Sequence, residues 1–223
     1  MAVLFQGVTG SHAHGLNHAE SDVDRVVVFN NPTRDYLGLY PPSETSSAEK
    51  TTLGDTTYHE VGKFCRLGIK ANPSILEVLW LDRYEEMSPE GEELISLRRD
   101  MLSVRAVRSA YLGYANSQFN GAARSKSAAS SSKYGRHFYR LLQQGVELYR
   151  DGNMRVKVED PEKVLAFGER MALGDLQEAK DLLTWAEEEF SKPSALPEEP
   201  NIRKVNDWLV DLRVRQLEIE TTI

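Results

Sequence analysis

Four residues near the start of the chain carry the chemistry: Gly10, Ser11, Asp22 and Asp24. Ten residues lie between Ser11 and Asp22, and one lies between Asp22 and Asp24. Carboxylates two residues apart on an extended chain face the same side, with Cα atoms roughly 6–7 Å apart. Two carboxylates that close stay ionised together when a cation offsets their repulsion. Oxygen donors of this kind favour Mg²⁺ or Mn²⁺ over zinc. A third carboxylate would complete a two-metal site, with its ions about 3.5–4 Å apart. The Gly-Ser pair supplies the complementary half. Glycine permits a tight turn, and serine caps a short helix whose free N–H groups attract phosphate oxygens. Alone, Gly-Ser is a plain turn and Asp-x-Asp a solvated strand end. Joined at this spacing, they point to movement of a nucleotidyl group.

The elements that must hold these residues are legible from residue type. Val3–Thr9 reads as a first strand that breaks at Gly10, and Val23–Phe29 reads as a buried strand closed by Asn30, Asn31 and Pro32. A short strand is expected near Thr56–Tyr58. The stretch Asn31–Gly54 is rich in Pro, Gly, Ser and Thr and reads as a long loop, long enough to act as a lid. From Glu60 the apolar period becomes helical through Val61, Phe64, Cys65 and Leu67, and Asn72-Pro73 ends that helix. A further element follows over Ser74–Leu81, capped by Ser74. Later helices are expected over Pro89–Asp100, Val104–Phe119, Lys133–Arg150, Pro161–Leu173, Asp175–Phe190 and Ile202–Ile219. Gly121–Ser132 reads as a mobile loop, and Pro193–Pro200 as a linker. The class is α+β giving way to helices.

The 223 residues suffice for one sizeable core, or for a small domain with a helical companion. No segment approaches the ~20 apolar residues needed to span a bilayer, and no signal peptide is visible, so a cytoplasmic protein with no membrane partner is expected. The single cysteine, Cys65, suits a reducing compartment and reads as a small core residue. Net charge is −7, unevenly spread. From Arg98 to Arg140 there are nine bases and one acid, whereas from Leu141 onward eighteen acids face eleven bases. A local basic segment in an acidic chain suggests a docking surface for a polyanion, interleaved with Tyr111, Tyr114, Asn116, Gln118, Phe119, Tyr134, Phe138 and Tyr139, which can stack a base although several must belong to the core. Its plainer reading is a solvated helix face.

Other candidates join from outside the first 24 residues. Asp55 precedes the short strand and can stand beside Asp22 and Asp24; Glu60 and Glu77 are the alternatives for a third carboxylate. Glu60 also suits the first turn of a helix, and Glu77, in an apolar run, needs a partner such as Lys or Arg. Lys133, His137 and Arg140 stand at i, i+4 and i+7, one helix face able to grip a triphosphate. The plainer reading of that face is salt bridging to the acidic C-terminal helices. His12, His14 and His18 lack a cysteine companion and a regular ligand spacing, so hydrogen bonding fits His12 and His14 better than zinc.

Gly10–Asp24 as a whole, GSHAHGLNHAESDVD, resembles the signature of the DNA polymerase β-like nucleotidyltransferase superfamily. Within it the chain is similar to a bacterial and phage RNA-ligase-associated subgroup. The resemblance continues through Tyr36–Leu39, Asp55–Trp80 and Lys133–Gly152. It implies a small nucleotidyltransferase-type mixed β-sheet with flanking helices and a helical C-terminal region. The division expected is a catalytic domain over 1–100 and a helical domain over 101–223 that completes the cleft. It also implies an acid at Asp55 and a role for the Lys133, His137 and Arg140 pattern. The activity expected is metal-dependent transfer of an NMP from an NTP to an acceptor hydroxyl. Asp22, Asp24 and Asp55 would serve as catalytic metal ligands for Mg²⁺ or Mn²⁺. Gly10, Ser11, Lys133, His137 and Arg140 would bind the nucleotide. An RNA or tRNA acceptor is favoured by the basic segment. The alternative is a nucleotide-binding regulator or toxin–antitoxin component with little turnover.

Overall fold

Val26, Val27 and Val28 are all buried, so both faces of their strand meet apolar neighbours and the strand takes the centre of the sheet. In a computed structural model of the chain, which describes residues 1–42, 48–51 and 54–222, five strands line up. They are β1 (Ala2–Val8), β2 (Arg25–Asn30), β3 (Ala48–Thr51), β4 (Gly54–Glu60) and β5 (Glu86–Met87), in the order β3-β4-β2-β1-β5. The sheet is mixed. β1 runs antiparallel to β2, and β4 runs parallel to β2, with Arg25 opposite Thr56 and Val26 opposite Thr57. This is the α+β architecture expected from the sequence.

Ten helices complete the described residues. The short α1 (Gly10–His14) and α2 (Thr33–Tyr36) follow β1 and β2, and α3 (Val61–Ile69), α4 (Pro73–Leu79) and α5 (Pro89–Ser96) flank the sheet. Then come α6 (Val104–Arg124), α7 (Ala128–Asp151), α8 (Pro161–Ala172), α9 (Gln177–Glu189) and α10 (Ile202–Thr222). α3 presents Val61, Phe64 and Cys65 to the sheet, where the Phe64 ring meets Phe5 edge to face at 5.9 Å. Burying a side chain of that size contributes about 2 kcal/mol, and more with the ring contact. One apolar core runs from Leu4 to Leu212. α10 returns to the sheet end of the molecule: Arg213 pairs with the Glu60 carboxylate, and Glu220 accepts the Thr33 and Arg34 N–H groups at 3.0 and 3.1 Å. Among the described residues no helix is long and apolar enough to cross a membrane.

Several boundaries differ from the sequence reading. The stretch Asn31–Gly54 is not all loop, since it contains α2 and β3; residues 43–47 and 52–53 of the expected lid lie outside the described residues. Asn72, not Ser74, caps α4: its side chain accepts the Ser74 and Ile75 N–H groups at 3.1 and 3.3 Å, and Pro73 fills the first helical position. The helix expected over Pro89–Asp100 stops at Ser96 and gives way to a 3₁₀ turn over Arg98–Met101. Gly121–Ser132 is mostly helical, because α6 continues to Arg124 and α7 begins at Ala128 with Ser127 as its cap. Alanine favours helix, and Gly121 serves packing there: a Cβ would stand 2.8 Å from the Tyr134 ring of the facing helix.

Candidate active site

The chain turns sharply from β1 into α1 at Gly10, whose φ of +65° is in the left-handed region. A Cβ there would stand 2.5 Å from Asp24 Oδ2. The carboxylate of Asp24 therefore lies directly against the Gly10 turn, with Ser11 as the next residue. The Asp24 carbonyl accepts the Thr9 N–H at 2.8 Å, tying the end of β1 to the approach to β2. On its other side Asp24 Oδ1 accepts the backbone N–H of Asp55 at 3.3 Å. Extending the β2–β4 register by one residue sets Asp24 alongside Asp55. Gly54, just before it, has φ +137°, and a Cβ there would meet the Val23 carbonyl oxygen at 2.1 Å. Gly10 and Gly54 thus allow two backbones to close on Asp22–Asp24 from either side.

Asp24 and Asp55 are half-buried and Asp22 is exposed. The loop leading to Asp22 is fastened by Ser21. Its hydroxyl accepts the His18 N–H at 2.9 Å, and its carbonyl faces His12 Nε2 at 3.1 Å. The donor set at this end of the sheet is carboxylate oxygen, which suits a hard divalent cation. Among the described residues no three His, Cys, Asp or Glu side chains form a group able to hold a metal ion. The three aspartates share a sheet end without closing into a ligand cage.

Behind α1 lies a buried polar chain. His14 Nε2 stands 3.2 Å from Glu77 Oε1, and Arg140 Nη1 donates to Glu77 Oε2 at 2.5 Å and to Gln144 Oε1 at 2.9 Å. His14 Nδ1 faces the Val156 carbonyl at 3.2 Å, and Gln144 Nε2 donates to that same oxygen at 3.2 Å. Burial by itself would raise the Glu77 carboxyl, but Arg140 and His14 overcome it and hold the group at about 2. Glu77 is thus the buried acid with an arginine partner, and Arg140 finds its acid on α4 rather than on the acidic C-terminal helices. The chain fixes α1, which carries Ser11, against α4 and α7.

The Lys133, His137 and Arg140 face is cationic at its exposed end only. Lys133 is exposed, and Arg140 is buried in the Glu77 pair. Burial and the neighbouring Arg140 charge push His137 down to about 4, so it is neutral near pH 7. Its electrostatic neighbours include Glu77 and His14, which puts it on the α1 side of α7. Glu60 is taken up elsewhere: its side chain caps α3 by accepting the Gly62 N–H at 2.8 Å, and it pairs with Arg213. Cys65 is buried and its thiol is pushed up to about 12, chiefly by burial, in keeping with a core residue. Sequence reasoning missed the packing role of Gly54 and the fastening role of Ser21. The available signal was the position of Gly54 immediately before a candidate aspartate.

Comparison with known proteins gives one family. The model described as RlaP, RNA repair pathway DNA polymerase beta family, matches residues 1–211. No curated protein matches the chain. Among solved structures, a nucleotidyltransferase-like protein from Exiguobacterium sibiricum 255-15 is similar at 15% identity. That match covers 85% of this chain and 69% of that one, with a TM-score of 0.33.

Proposed function

Since the chain belongs to the RNA repair pathway DNA polymerase beta family, we propose that it transfers an NMP from an NTP to an acceptor hydroxyl, with RNA or tRNA as the acceptor. The observation that carries this reading is the position of Asp24, between the Gly10-Ser11 turn on one side and Asp55 on the other. In this reading residues 1–100 form the catalytic domain and residues 101–223 the helical domain that completes the cleft.

Asp22, Asp24 and Asp55 would hold Mg²⁺ or Mn²⁺ once the cation draws the three carboxylates at this sheet end together. Bound there, the ions would lower the pKa of the acceptor hydroxyl and offset the charge of the leaving pyrophosphate. Gly10 and Ser11 receive the β- and γ-phosphates, the serine hydroxyl donating to a phosphate oxygen. Lys133 adds a point charge to the triphosphate. His137, neutral near pH 7, offers a hydrogen bond rather than charge. Arg140 acts on the nucleotide end of the cleft through the Glu77 and His14 chain that steadies α1.

The experiment is incubation with each α-labelled NTP, Mg²⁺ or Mn²⁺ and total RNA. Label should pass to RNA and be lost in Asp22→Asn and Asp24→Asn, with thermal stability retained. Tight nucleotide binding without transfer to RNA, protein or small molecules would instead identify a nucleotide-binding regulator.

A further inference from the structure

From Met101 to Val146, forty-six consecutive residues contain no Asp or Glu, in a chain that has 34 acids among 223 residues. This segment is the antiparallel pair of α6 and the first part of α7. Burial does not account for the exclusion. Seventeen positions between Met101 and Arg140 are exposed, and they carry five Arg or Lys and no carboxylate. A face selected only for solubility carries both signs, interspersed. Several arginines elsewhere are matched: Arg25, Arg150, Arg155, Arg170, Arg213 and Arg215 each pair with an acid. Arg105, Arg108, Arg124, Lys126 and Lys133 have no carboxylate partner among the described residues.

These cations are ordered along the helix. On α6 the exposed residues Arg105, Ser109, Gly113, Asn116, Asn120 and Arg124 follow one another at intervals of three or four, forming one face. The helix has 21 residues, so the stripe is about 30 Å long. It leads to the Ser125–Ser127 turn, where Lys126 stands, and then to Lys133 on α7. Tyr134 lies against Gly121 with 38% of its surface exposed, and Tyr114 is 39% exposed. A long acid-free stripe with cations, amides, hydroxyls and partly exposed aromatic rings matches a polyphosphate strand carrying stackable bases.

We infer that the α6–α7 hairpin is the surface on which the RNA acceptor lies, its phosphodiester backbone following the exposed stripe of α6 toward Lys133. This rests on the reading of the protein as a nucleotidyltransferase acting on RNA.

The test uses the full chain and a fluorescent RNA hairpin with a single-stranded 3′ end, titrated at several salt concentrations. Two variants divide the stripe, Arg105→Gln/Arg108→Gln and Arg124→Gln/Lys126→Gln, and a third combines them; Arg203→Gln on α10 removes a charge elsewhere. The wild type should bind with a steep salt dependence. The combined variant should bind at least about tenfold more weakly at low salt, with a log–log salt slope shallower by roughly 3, at about 0.7 for each lost phosphate contact. The paired variants should fall between, and Arg203→Gln should match the wild type. Retention of labelled ATP and the thermal midpoint should be unchanged in all of them. Wild-type affinity and slope in the combined variant would overturn the assignment, as would wild-type binding to anionic vesicles without binding to RNA. Label transfer is followed in parallel. RNA bound through the hairpin without transfer leaves the docking surface standing and defeats the transferase reading. Equal binding and transfer in wild type and combined variant does the reverse.

Discussion

Gly10 and Asp24 are packed so closely that no side chain fits between them: a Cβ on Gly10 would stand 2.5 Å from the Asp24 carboxylate oxygen. The backbone of Gly10 is also left-handed, at φ +65°. Gly10→Ala should therefore act twice, with unequal size. The backbone cost is about 1 kcal/mol. The obstructing atom is the end of a side chain, so Asp24 can swing aside, and its displacement is what the chemistry feels. A misplacement of this order costs about 100-fold in rate. Label transfer should fall far more than the thermal midpoint; a parallel loss of both would mean that the turn is merely structural.

Gly54 differs from Gly10 in what it touches. Its missing Cβ would meet the Val23 carbonyl oxygen at 2.1 Å, which is backbone and has no rotamer to change. Gly54→Ala should destabilise the protein by about 3 kcal/mol, because strand β4 must move away from the Asp22–Asp24 segment. Gly113 provides the opposite sign. It is exposed within α6 and has nothing within 4 Å of its Cβ position. Gly113→Ala should stabilise by about 0.5–1 kcal/mol. Urea unfolding of the two variants checks the ranking, and a destabilised Gly113→Ala would overturn the account of α6 as unobstructed there.

Glu77 and Arg140 form a buried pair, with His14 on the other carboxylate oxygen. Removing one partner leaves a charge in the interior, at a cost of about 3–5 kcal/mol. Glu77→Gln and Arg140→Met should each reach that range, while the double variant should lose much less than their sum. A double-mutant cycle in urea measures the coupling. Additive losses would show that the two groups do not depend on each other.

The sequence made local features legible and left the contacts between distant segments dark. The turn at Gly10 and the buried strand through Val26–Val28 could be read because each is written within a few residues, although β2 begins at Arg25, just after Asp22 and Asp24. Asp55 could be named as a candidate, but its place beside Asp24 depends on the parallel pairing of β2 with β4, and a slip of one residue would turn it to the other face. Glu77 announced its need for a partner through its apolar neighbours; that the partner is Arg140, 63 residues away, follows only from the packing of α4 near α7. Glu60 has the same character, since its arginine comes from α10, 153 residues later. The Ala- and Ser-rich stretch after Gly121 misled for a different reason. Its composition suits a loop and a close helix pair equally, and the Tyr134 ring lying on Gly121 decides for the pair.

His137 gives the molecule an acid sensitivity above that of its carboxylates. Its imidazole is pushed down to about 4, first by burial and then by Arg140, and His59 is pushed to about 4 by burial and Lys63. An unfolded chain binds these protons near pH 6.5, while the folded one resists them until about 4. Between those values the unfolded state holds more protons, so stability should fall as pH drops from about 6.5 to 4. The His137 share amounts to about 3 kcal/mol at the lower end. Glu77 acts in a lower window, because its depressed carboxyl contributes stability that is lost from about 4.5 down to about 2. His137→Gln should make the upper window shallower, leaving only the share that His59 supplies. Urea unfolding of wild type and variant at steps from pH 7 to pH 4 makes the comparison, and identical pH slopes would show that His137 is not the group resisting protonation.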